Sequence, residues 1–274
     1  MDDSLGGTKR SAIEVAKPNS IIVCFYEVLS SHDETQAAIE KYMTGKLLKY
    51  LEENWETRQM LMVRKRLLNE NKLDRAAKLD NYEKCKVDGS KEEIIQSHYT
   101  YIIQRLRHNL PESSIIHKLR DWLVAEGYKS GELKSFVHED VPKMVERWRM
   151  EMMIKLYAMA SGDPSGQKLF LQSTRYGDLT KHFNNYLMVK ENRRRDPDQF
   201  SILAGLLRDD PKNLLFLTSD LNEAKSAHQN RMKCVIVART GTEFPQDGSM
   251  AHFPVVSSLE HINFVETGSA PECC

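Results

Sequence analysis

One short run constrains the fold of this chain more than any other feature of its sequence. Residues 20–28, SIIVCFYEV, open with β-branched and aromatic side chains, a pattern typical of a strand buried on both faces of a sheet. The long stretch that follows carries only helical patterns. We predict a strand over 20–26. Because a lone buried strand has no partner in the helical stretch, the rest of the sheet must come from the second half of the chain.

The region from 32 to 131 is predicted to be entirely helical. Apolar residues with helical spacing cover 39–51, 60–68, 94–106 and 115–127. Ser31 and Glu34 have the spacing of a capping box at the start of this block, and Ser90 and Glu93 repeat that spacing within it. We therefore predict an all-helical domain inserted directly after the first strand.

Short apolar runs alternate with helical patterns in the second half. Strands are predicted at 153–159, 213–218 and 233–238, and helices near 139–150, 164–172, 197–207 and 220–230. This alternation is typical of an α/β fold with a doubly wound parallel sheet. The predicted domains are a flexible leader over 1–18, an α/β core formed by 19–31 plus 132–266, the helical insertion over 32–131, and a flexible tail over 267–274.

Charge and composition exclude several functional classes. Lys and Arg total 39 against 39 Asp and Glu, so the formal net charge is zero and no nucleic-acid partner is expected. No apolar run approaches the length of a membrane span, and no secretory signal is recognisable. A cytoplasmic protein without membrane contact is expected. Cys273 and Cys274 resemble a prenylation site, but no polybasic segment precedes them and a free tail is favoured.

Several segments resemble one enzyme family. The run 121–148, with Trp122, Gly127, Gly131, Asp140, Val141, Pro142 and Trp148, is similar to the enolase-phosphatase (acireductone synthase) family of methionine salvage. The segments ASGDPSGQKLFLQSTRYGDL, NLLFLTSDLNEA and VIVARTG follow in the same order as in that family. The resemblance implies a haloacid dehalogenase-like core with a helical cap, and it extends over roughly 19–265.

The first catalytic motif of that family is altered here. The family usually has D-I-E-G-T-T where this chain has C-F-Y-E-V-L at 24–29, so Cys24 stands at the nucleophile position and Tyr26 at the second acidic position. A cysteine phosphatase would place an arginine six residues after its cysteine, but Ser30 stands there. We therefore interpret Cys24 as a neutral structural thiol.

The phosphate-binding motifs are partly kept. The family's Y-S-S-G-S corresponds to residues 159–163, in which Ser161 and Gly162 remain as candidate phosphate-binding groups while Ala160 lacks a hydroxyl. Asp163 adds negative charge, although Asp163 and Pro164 also fit a helix N-cap. Arg194 aligns with the family's lysine, and a solvated basic turn explains the triplet 193–195 equally well.

The metal-binding motif is displaced. Ser219 occupies the position of the family's metal-binding aspartate, and Asp220 follows one residue later. Asp220 is therefore a candidate metal ligand, with a helix N-cap as the favoured alternative. Without both carboxylates at their expected positions, no tight magnesium site and no cofactor are predicted.

Three functions remain open from the sequence. The leading hypothesis is a catalytically inactive pseudophosphatase that works by binding, either to a protein partner or by assembling with an active relative. The alternative is an active acireductone synthase that enolises and dephosphorylates 2,3-diketo-5-methylthiopentyl 1-phosphate with Mg²⁺, which requires rescue by a carboxylate such as Asp163, Asp220 or Glu27. A third hypothesis is a sensor that binds a phosphorylated metabolite through Ser161, Gly162 and Arg194 without converting it.

Overall fold

A six-stranded parallel sheet forms the centre of the α/β part of the chain. The computed structural model describes residues 12–77, 82–107, 113–239 and 252–266. The strands of this sheet are β2 (Ser20–Cys24), β3 (Lys155–Ala160), β4 (Asn185–Met188), β5 (Leu214–Thr218), β6 (Lys233–Val237) and β7 (Val255–Val256). Their spatial order, β4-β3-β2-β5-β6-β7, is that of a doubly wound sheet, so the predicted fold class is confirmed.

The first strand occupies the middle of the sheet, as its composition requires. Every residue of β2 and of β5 is buried, and β2 pairs in parallel with β3 on one side and β5 on the other. The observed strand ends at Cys24, two residues before the predicted end at Tyr26. The backbone N–H of Phe25 still donates to Met159 O at 2.8 Å, but the chain then turns and Ser30 N donates back to Phe25 O.

Helices connect the strands of the sheet. They are α5 (Val141–Glu146), which continues into a π-helical turn at Arg147–Glu151, α6 (Pro164–Gln172), α7 (Pro197–Leu207) and α8 (Leu221–Gln229). The helices α6, α7 and α8 begin at an aspartate whose carboxylate accepts a backbone N–H of the first turn. Aspartate at this position satisfies amide donors that a helix leaves unpaired.

A second, smaller sheet corrects one prediction. Strand β1 (Ile13–Ala16) pairs in parallel with β8 (Ile262–Val265). The predicted flexible leader over 1–18 is therefore wrong for the segment that forms β1, because a partner strand almost 250 residues away orders it. Residues 1–11 and the predicted tail at 267–274, with Cys273 and Cys274, lie outside the described residues.

Four long helices make up the helical part. They are α1 (His32–Asn54), α2 (Arg58–Ala76), α3 (Lys91–Arg107) and α4 (Ser114–Ser130). Their apolar faces meet in one core that includes Leu47, Trp55, Tyr101 and Leu119. A reciprocal capping box opens α3, since Glu93 N donates to Ser90 Oγ and Ser90 N donates to Glu93 Oε2, at 3.2 and 3.1 Å.

The chain divides into two compact units. One contains Met1–Thr35 and Ser135–Cys274, and the other contains Gln36–Lys134. These boundaries lie within a few residues of the ends of the helical insertion predicted at 32–131. Among the described residues, no helix combines the length and the apolar character that a membrane crossing requires.

Candidate functional site

The candidate site lies at the carboxyl edge of the sheet. Strands β2 and β5 are neighbours there, and the strand order reverses between them. In a doubly wound sheet, a crevice for ligands forms at this switch point, beyond the carboxyl ends of the strands. Cys24 ends β2 and Thr218 ends β5, so these two side chains mark the position where the chemistry of such a fold is expected.

The Cys24 thiol is buried and bound to a carboxylate. Its Sγ donates to Glu223 Oε2 at 3.1 Å, and Arg194 Nη2 lies 3.5 Å from the sulfur. Only 1% of the residue is exposed. Burial, followed by the negative charge of Glu223, raises the pKa of the Cys24 thiol well above its ordinary value, although Arg194 acts in the opposite direction. The thiol is therefore neutral and unreactive at physiological pH.

Glu223 is the centre of this cluster. Its Oε2 accepts a second hydrogen bond, from Thr218 Oγ1 at 2.7 Å, and its Oε1 accepts one from Arg194 Nε at 2.6 Å. The two side chains of the ion pair are 4% exposed for Glu223 and 14% exposed for Arg194. Both carboxylate oxygens are thus bound by groups of the chain, and the guanidinium charge at this position is already balanced.

The loop after Cys24 forms a tight turn, in which Glu27 N donates to Ser30 O and Ser30 N donates to Phe25 O. The Tyr26 ring is partly exposed and packs edge-on against His32, with ring centroids 5.2 Å apart. Glu27 has a positive φ of 67°, a conformation that favours glycine, and glycine is the residue that the resembled family has there. Ser30 is fully buried and its hydroxyl lies 2.9 Å from that of Thr35, so this loop offers no cation to a phosphate.

The predicted phosphate-binding residues converge on a second carboxylate. Ser161 Oγ donates to Glu191 Oε2 at 2.9 Å, and Arg194 Nε lies 4.0 Å from the same oxygen. Gly162 is exposed beside Ser161. The structure therefore brings Ser161 and Arg194 to one place, but a glutamate lies between them. Asp163 is the N-cap of α6, accepting Ser165 N at 2.9 Å, as the Asp-Pro pattern predicted.

The basic triplet is divided among three acidic partners. Arg193 pairs with Asp196 at 2.8 Å, while Arg194 pairs with Glu223. Arg195 binds the Asp220 carboxylate. The turn is therefore held together by its ion pairs, and of its three arginines only Arg194 contacts Cys24.

Asp220 is a helix cap. Its Oδ1 accepts the backbone N–H groups of Asn222 at 2.7 Å and Glu223 at 3.0 Å, which confirms the N-cap alternative. Burial acts to raise the pKa of the Asp220 carboxyl, but the hydrogen bonds from Arg195 and from the backbone of α8 hold it below its ordinary value. Ser219, half-buried between Thr218 and this cap, brings no carboxylate to the site.

The residues at this edge do not fit a magnesium ion. Mg²⁺ requires oxygen ligands in near-octahedral geometry, with at least one available carboxylate. Glu223 has both oxygens bound by donors, and Asp220 is engaged by Arg195 and by the N-terminus of α8. Within the ranges that the structure describes, no group of three His, Cys, Asp or Glu side chains is placed to hold a metal ion.

Sequence analysis did not identify Glu223 or Thr218 as site residues. Glu223 is the third residue of α8, counted from the cap at Asp220. A glutamate at this position ordinarily folds back onto the N-cap backbone in a capping box. Here Thr218 Oγ1 accepts the Asp220 N–H at 3.0 Å, and the Glu223 side chain turns inward instead. The signal was an acidic side chain in the first turn of a helix that starts at the carboxyl edge of the sheet.

Sequence comparison identifies relatives of this chain among known proteins. No protein-family model matches the chain. The enolase-phosphatase E1 of Anopheles gambiae is 26% identical over 218 residues, covering 78% of the chain and 72% of the relative. The proteins of the same name from Persephonella marina and Drosophila yakuba are 32% and 33% identical over 124 and 138 residues. The chain spans about half the length of the last two, 54% and 53%.

Solved structures share the fold at low sequence identity. The UTR4 protein of Saccharomyces cerevisiae superposes with a TM-score of 0.65 and 15% identity, covering 89% of the chain and 99% of that protein. A dehalogenase superposes with a TM-score of 0.50 and 15% identity, over 90% and 96% of the two chains. These similarities establish an α/β core with an inserted helical unit.

Proposed function

We propose that this chain, which is similar in sequence to curated enolase-phosphatases and shares its fold with a dehalogenase, is a pseudophosphatase that acts by binding a protein partner. One observation carries this proposal. The nucleophile position holds a neutral thiol that donates to Glu223, and the same glutamate neutralises the cation expected to bind phosphate. Cys24 at the nucleophile position and Arg194 at the position of the phosphate-binding cation are thus both bound by Glu223.

The chemistry of the first step supports inactivity. Phosphoryl transfer to the enzyme needs an ionised nucleophile with a free path to phosphorus. The pKa of the Cys24 thiol is raised by burial, and its sulfur lies between Glu223 and Arg194. Loss of the nucleophile, the acid/base group and the metal ligand together removes groups that act as one unit in catalysis.

The local charge favours a protein partner over a phosphorylated metabolite. Glu223 and Glu191 both lie beside Arg194, at 2.6 and 4.0 Å from its Nε. A phosphate dianion entering here would meet two carboxylates for one guanidinium, and the buried Glu223 would repel it more strongly than Glu191, whose side chain is 81% exposed. Binding of a phosphorylated ligand through Ser161, Gly162 and Arg194 is therefore the weaker proposal.

An active Mg²⁺-dependent acireductone synthase is the second candidate, favoured by the name that the curated relatives share. It requires a carboxylate to replace the missing nucleophile. Asp163 and Asp220 are helix caps, and Glu27 accepts the backbone N–H of His32 at 2.9 Å. Each would have to leave its present hydrogen bonds before it reacted.

Phosphate release from 2,3-diketo-5-methylthiopentyl 1-phosphate in the presence of Mg²⁺ tests the proposal. An active enolase-phosphatase serves as the positive control, and a variant of that enzyme with its nucleophilic aspartate replaced by cysteine serves as the matched negative control. The chain should release no more phosphate than the cysteine variant. Release that a chelator abolishes would establish the active enzyme instead.

Thermal unfolding with and without Mg²⁺ gives a second readout that does not depend on turnover. A ligand that binds only the native state raises its stability. Mg²⁺ should leave the unfolding temperature of this chain unchanged and raise that of the active relative. A magnesium-dependent increase in this chain would contradict the absence of a metal site.

A further inference from the structure

The outward face of α2 is strongly basic. Of the 19 residues of this helix, six are Lys or Arg and two are Asp or Glu. The cationic residues exposed to solvent are Arg58, Lys65, Arg66, Lys72 and Arg75. Helical spacing places Arg58, Lys65, Arg66 and Lys72 on the side opposite the buried residues Met60, Val63 and Leu67. We call this side the α2 basic face.

The acidic residues of α2 do not offset this charge. Asp74 is buried and accepts Tyr101 Oη at 2.7 Å and Arg105 Nε at 3.3 Å. Glu70 accepts the hydroxyl of Ser113. In the described ranges, 12–77, 82–107, 113–239 and 252–266, the four cations of the α2 basic face form no ion pair. Unpaired charges of one sign on one helix raise the local potential even in a chain whose formal net charge is zero.

Apolar side chains stand among these cations. Leu61, Met62 and Leu73 are 50, 59 and 69% exposed. Met62 and Leu73 are eleven residues apart, which is close to three helical turns, so both lie on the α2 basic face. The α2 basic face therefore presents both cations and apolar side chains, the two kinds of group that an acidic amphipathic helix would contact.

The arrangement does not match a membrane surface or a surface for single-stranded nucleic acid. A helix that lies in a membrane interface has a continuous apolar stripe with cations at its margins. On α2, the positions between Met62 and Leu73 hold Lys65, Arg66 and Lys72, so the apolar stripe is interrupted. Surfaces for single-stranded nucleic acid combine cations with aromatic side chains that stack on bases, and this helix has no aromatic residue.

We propose that the α2 basic face binds an acidic amphipathic helix of a partner protein. Carboxylates of that helix would pair with Lys65, Arg66 and Lys72, and two apolar side chains about three turns apart would contact Met62 and Leu73. Two helices that pack side by side have the same rise per residue. Side chains of the partner that contact Met62 and Leu73 must therefore also be about eleven residues apart. This inference deepens the proposed function, since it assigns the surface and the chemistry of the partner.

Binding of a designed peptide tests the inference. The probe is a synthetic helix as long as α2, with two leucines eleven residues apart and glutamates between them; a scrambled peptide of the same composition is its control. Fluorescence anisotropy with the full chain should show saturable binding of the designed peptide only. The variant Lys65→Glu/Arg66→Glu/Lys72→Glu should weaken binding by about tenfold or more, because like charges then face each other.

A matched variant separates local charge from total charge. Lys41→Glu/Lys118→Glu/Lys129→Glu changes three exposed lysines elsewhere in the helical unit and gives the same net charge. It should leave peptide affinity nearly unchanged, and circular dichroism should show both variants folded. Equal losses in the two variants, equal binding of the scrambled peptide or no saturable binding would overturn the inference.

Two further probes decide between classes of partner. Vesicles of phosphatidylserine and phosphatidylcholine, and a duplex DNA, should bind more weakly than the designed peptide at the same ionic strength. Stronger binding of either would reject the protein-partner assignment. These outcomes are independent of phosphate release, so the surface and the proposed inactivity can fail separately.

Discussion

A buried carboxylate needs donors to replace its lost hydration, and Glu223 obtains them from Cys24, Thr218 and Arg194. In a phosphatase of this fold, a cation and hydroxyl groups at the carboxyl edge of the sheet would be available to the substrate. Here an internal carboxylate takes that place. The change at Cys24 fits this role, because a neutral thiol donates a hydrogen bond to Glu223 where an ionised aspartate would repel it.

The pairing of Glu223 with Arg194 predicts a large, non-additive effect on stability. Glu223→Ala leaves a buried guanidinium without its partner, and removal of one member of a buried pair costs about 3–5 kcal/mol of unfolding free energy. The double variant Glu223→Ala/Arg194→Met should recover part of this loss, because no unpaired charge remains. Urea unfolding of the two single variants and the double variant measures the coupling.

An exposed pair provides the comparison. Lys143 and Glu260 are 2.8 Å apart, but their side chains are 73 and 47% exposed. Glu260→Ala should therefore cost less than about 1 kcal/mol. If Glu223→Ala lowers the unfolding free energy no more than Glu260→Ala does, Glu223 and Arg194 do not stabilise the fold as a buried ion pair.

Helix caps show how a single residue shift changes the function of an element. Asp220 follows the position of the family's metal ligand by one residue, and at that place its carboxylate binds the first turn of α8. Asp220→Ala should lower the unfolding free energy by about 1–2 kcal/mol, because two backbone N–H groups lose their acceptor. Asp220→Ser should retain most of the stability, since a serine hydroxyl also caps a helix.

Chemical denaturation of both variants measures this difference, with Asp198→Ala on the exposed first turn of α7 as the control. Equal stability of the alanine and serine variants would contradict a capping role. A metal ligand would respond differently, because serine does not replace a carboxylate in a magnesium site.

The elements that sequence patterns predicted are those whose own side chains determine them. Strands β2, β3, β5 and β6 are apolar runs near the predicted positions, and α6 and α7 match their predicted bounds. Strands β1, β4, β7 and β8 contain two to four residues each and were not predicted. These strands form because they pair with strands that are distant in the chain, so no local periodicity in the sequence predicts them.

The same distinction applies to the candidate site. Cys24 was found because it aligns with the nucleophile position of the resembled family, and Asp220 because it follows that family's metal-ligand position by one residue. Glu223 was missed because its role depends on Arg194, which lies 29 residues away in a turn of no regular pattern. A local motif gives the position of a side chain along an element, but the ion pair that occupies the site arises only when the elements pack.

The net charge of the whole chain does not show how charge is distributed over its surface. Equal numbers of acidic and basic residues give a formal net charge of zero, from which the sequence predicted only that no polyanion would bind the chain as a whole. The α2 basic face exists because Glu70 and Asp74 turn inward while the cations of the same helix turn outward. Charge therefore has to be assessed on each face of a helix after the buried residues are known.

The stability of the whole molecule should decrease in mild acid. Burial, followed by the positive charge of Arg239, lowers the pKa of His138 to about 4, and its buried Nε2 has no hydrogen-bond partner among the described residues. Burial also lowers the pKa values of His98 and His182. Between the ordinary pKa of histidine and these lower values, the unfolded chain binds more protons than the folded chain, so stability falls as pH falls.

Replacement of His138 isolates its share of this effect. Allowing for its partial exposure, His138 should contribute about 1–2 kcal/mol of the stability lost between pH 7 and pH 4.5. His138→Gln cannot be protonated in this range, so its unfolding free energy should fall less steeply with acid than that of the parent chain. His228→Gln, which replaces an exposed histidine, serves as a control for the substitution itself. Urea midpoints across this range measure all three proteins, and parallel curves for the parent and His138→Gln would mean that the His138 ring is protonated as readily in the folded chain as in the unfolded one.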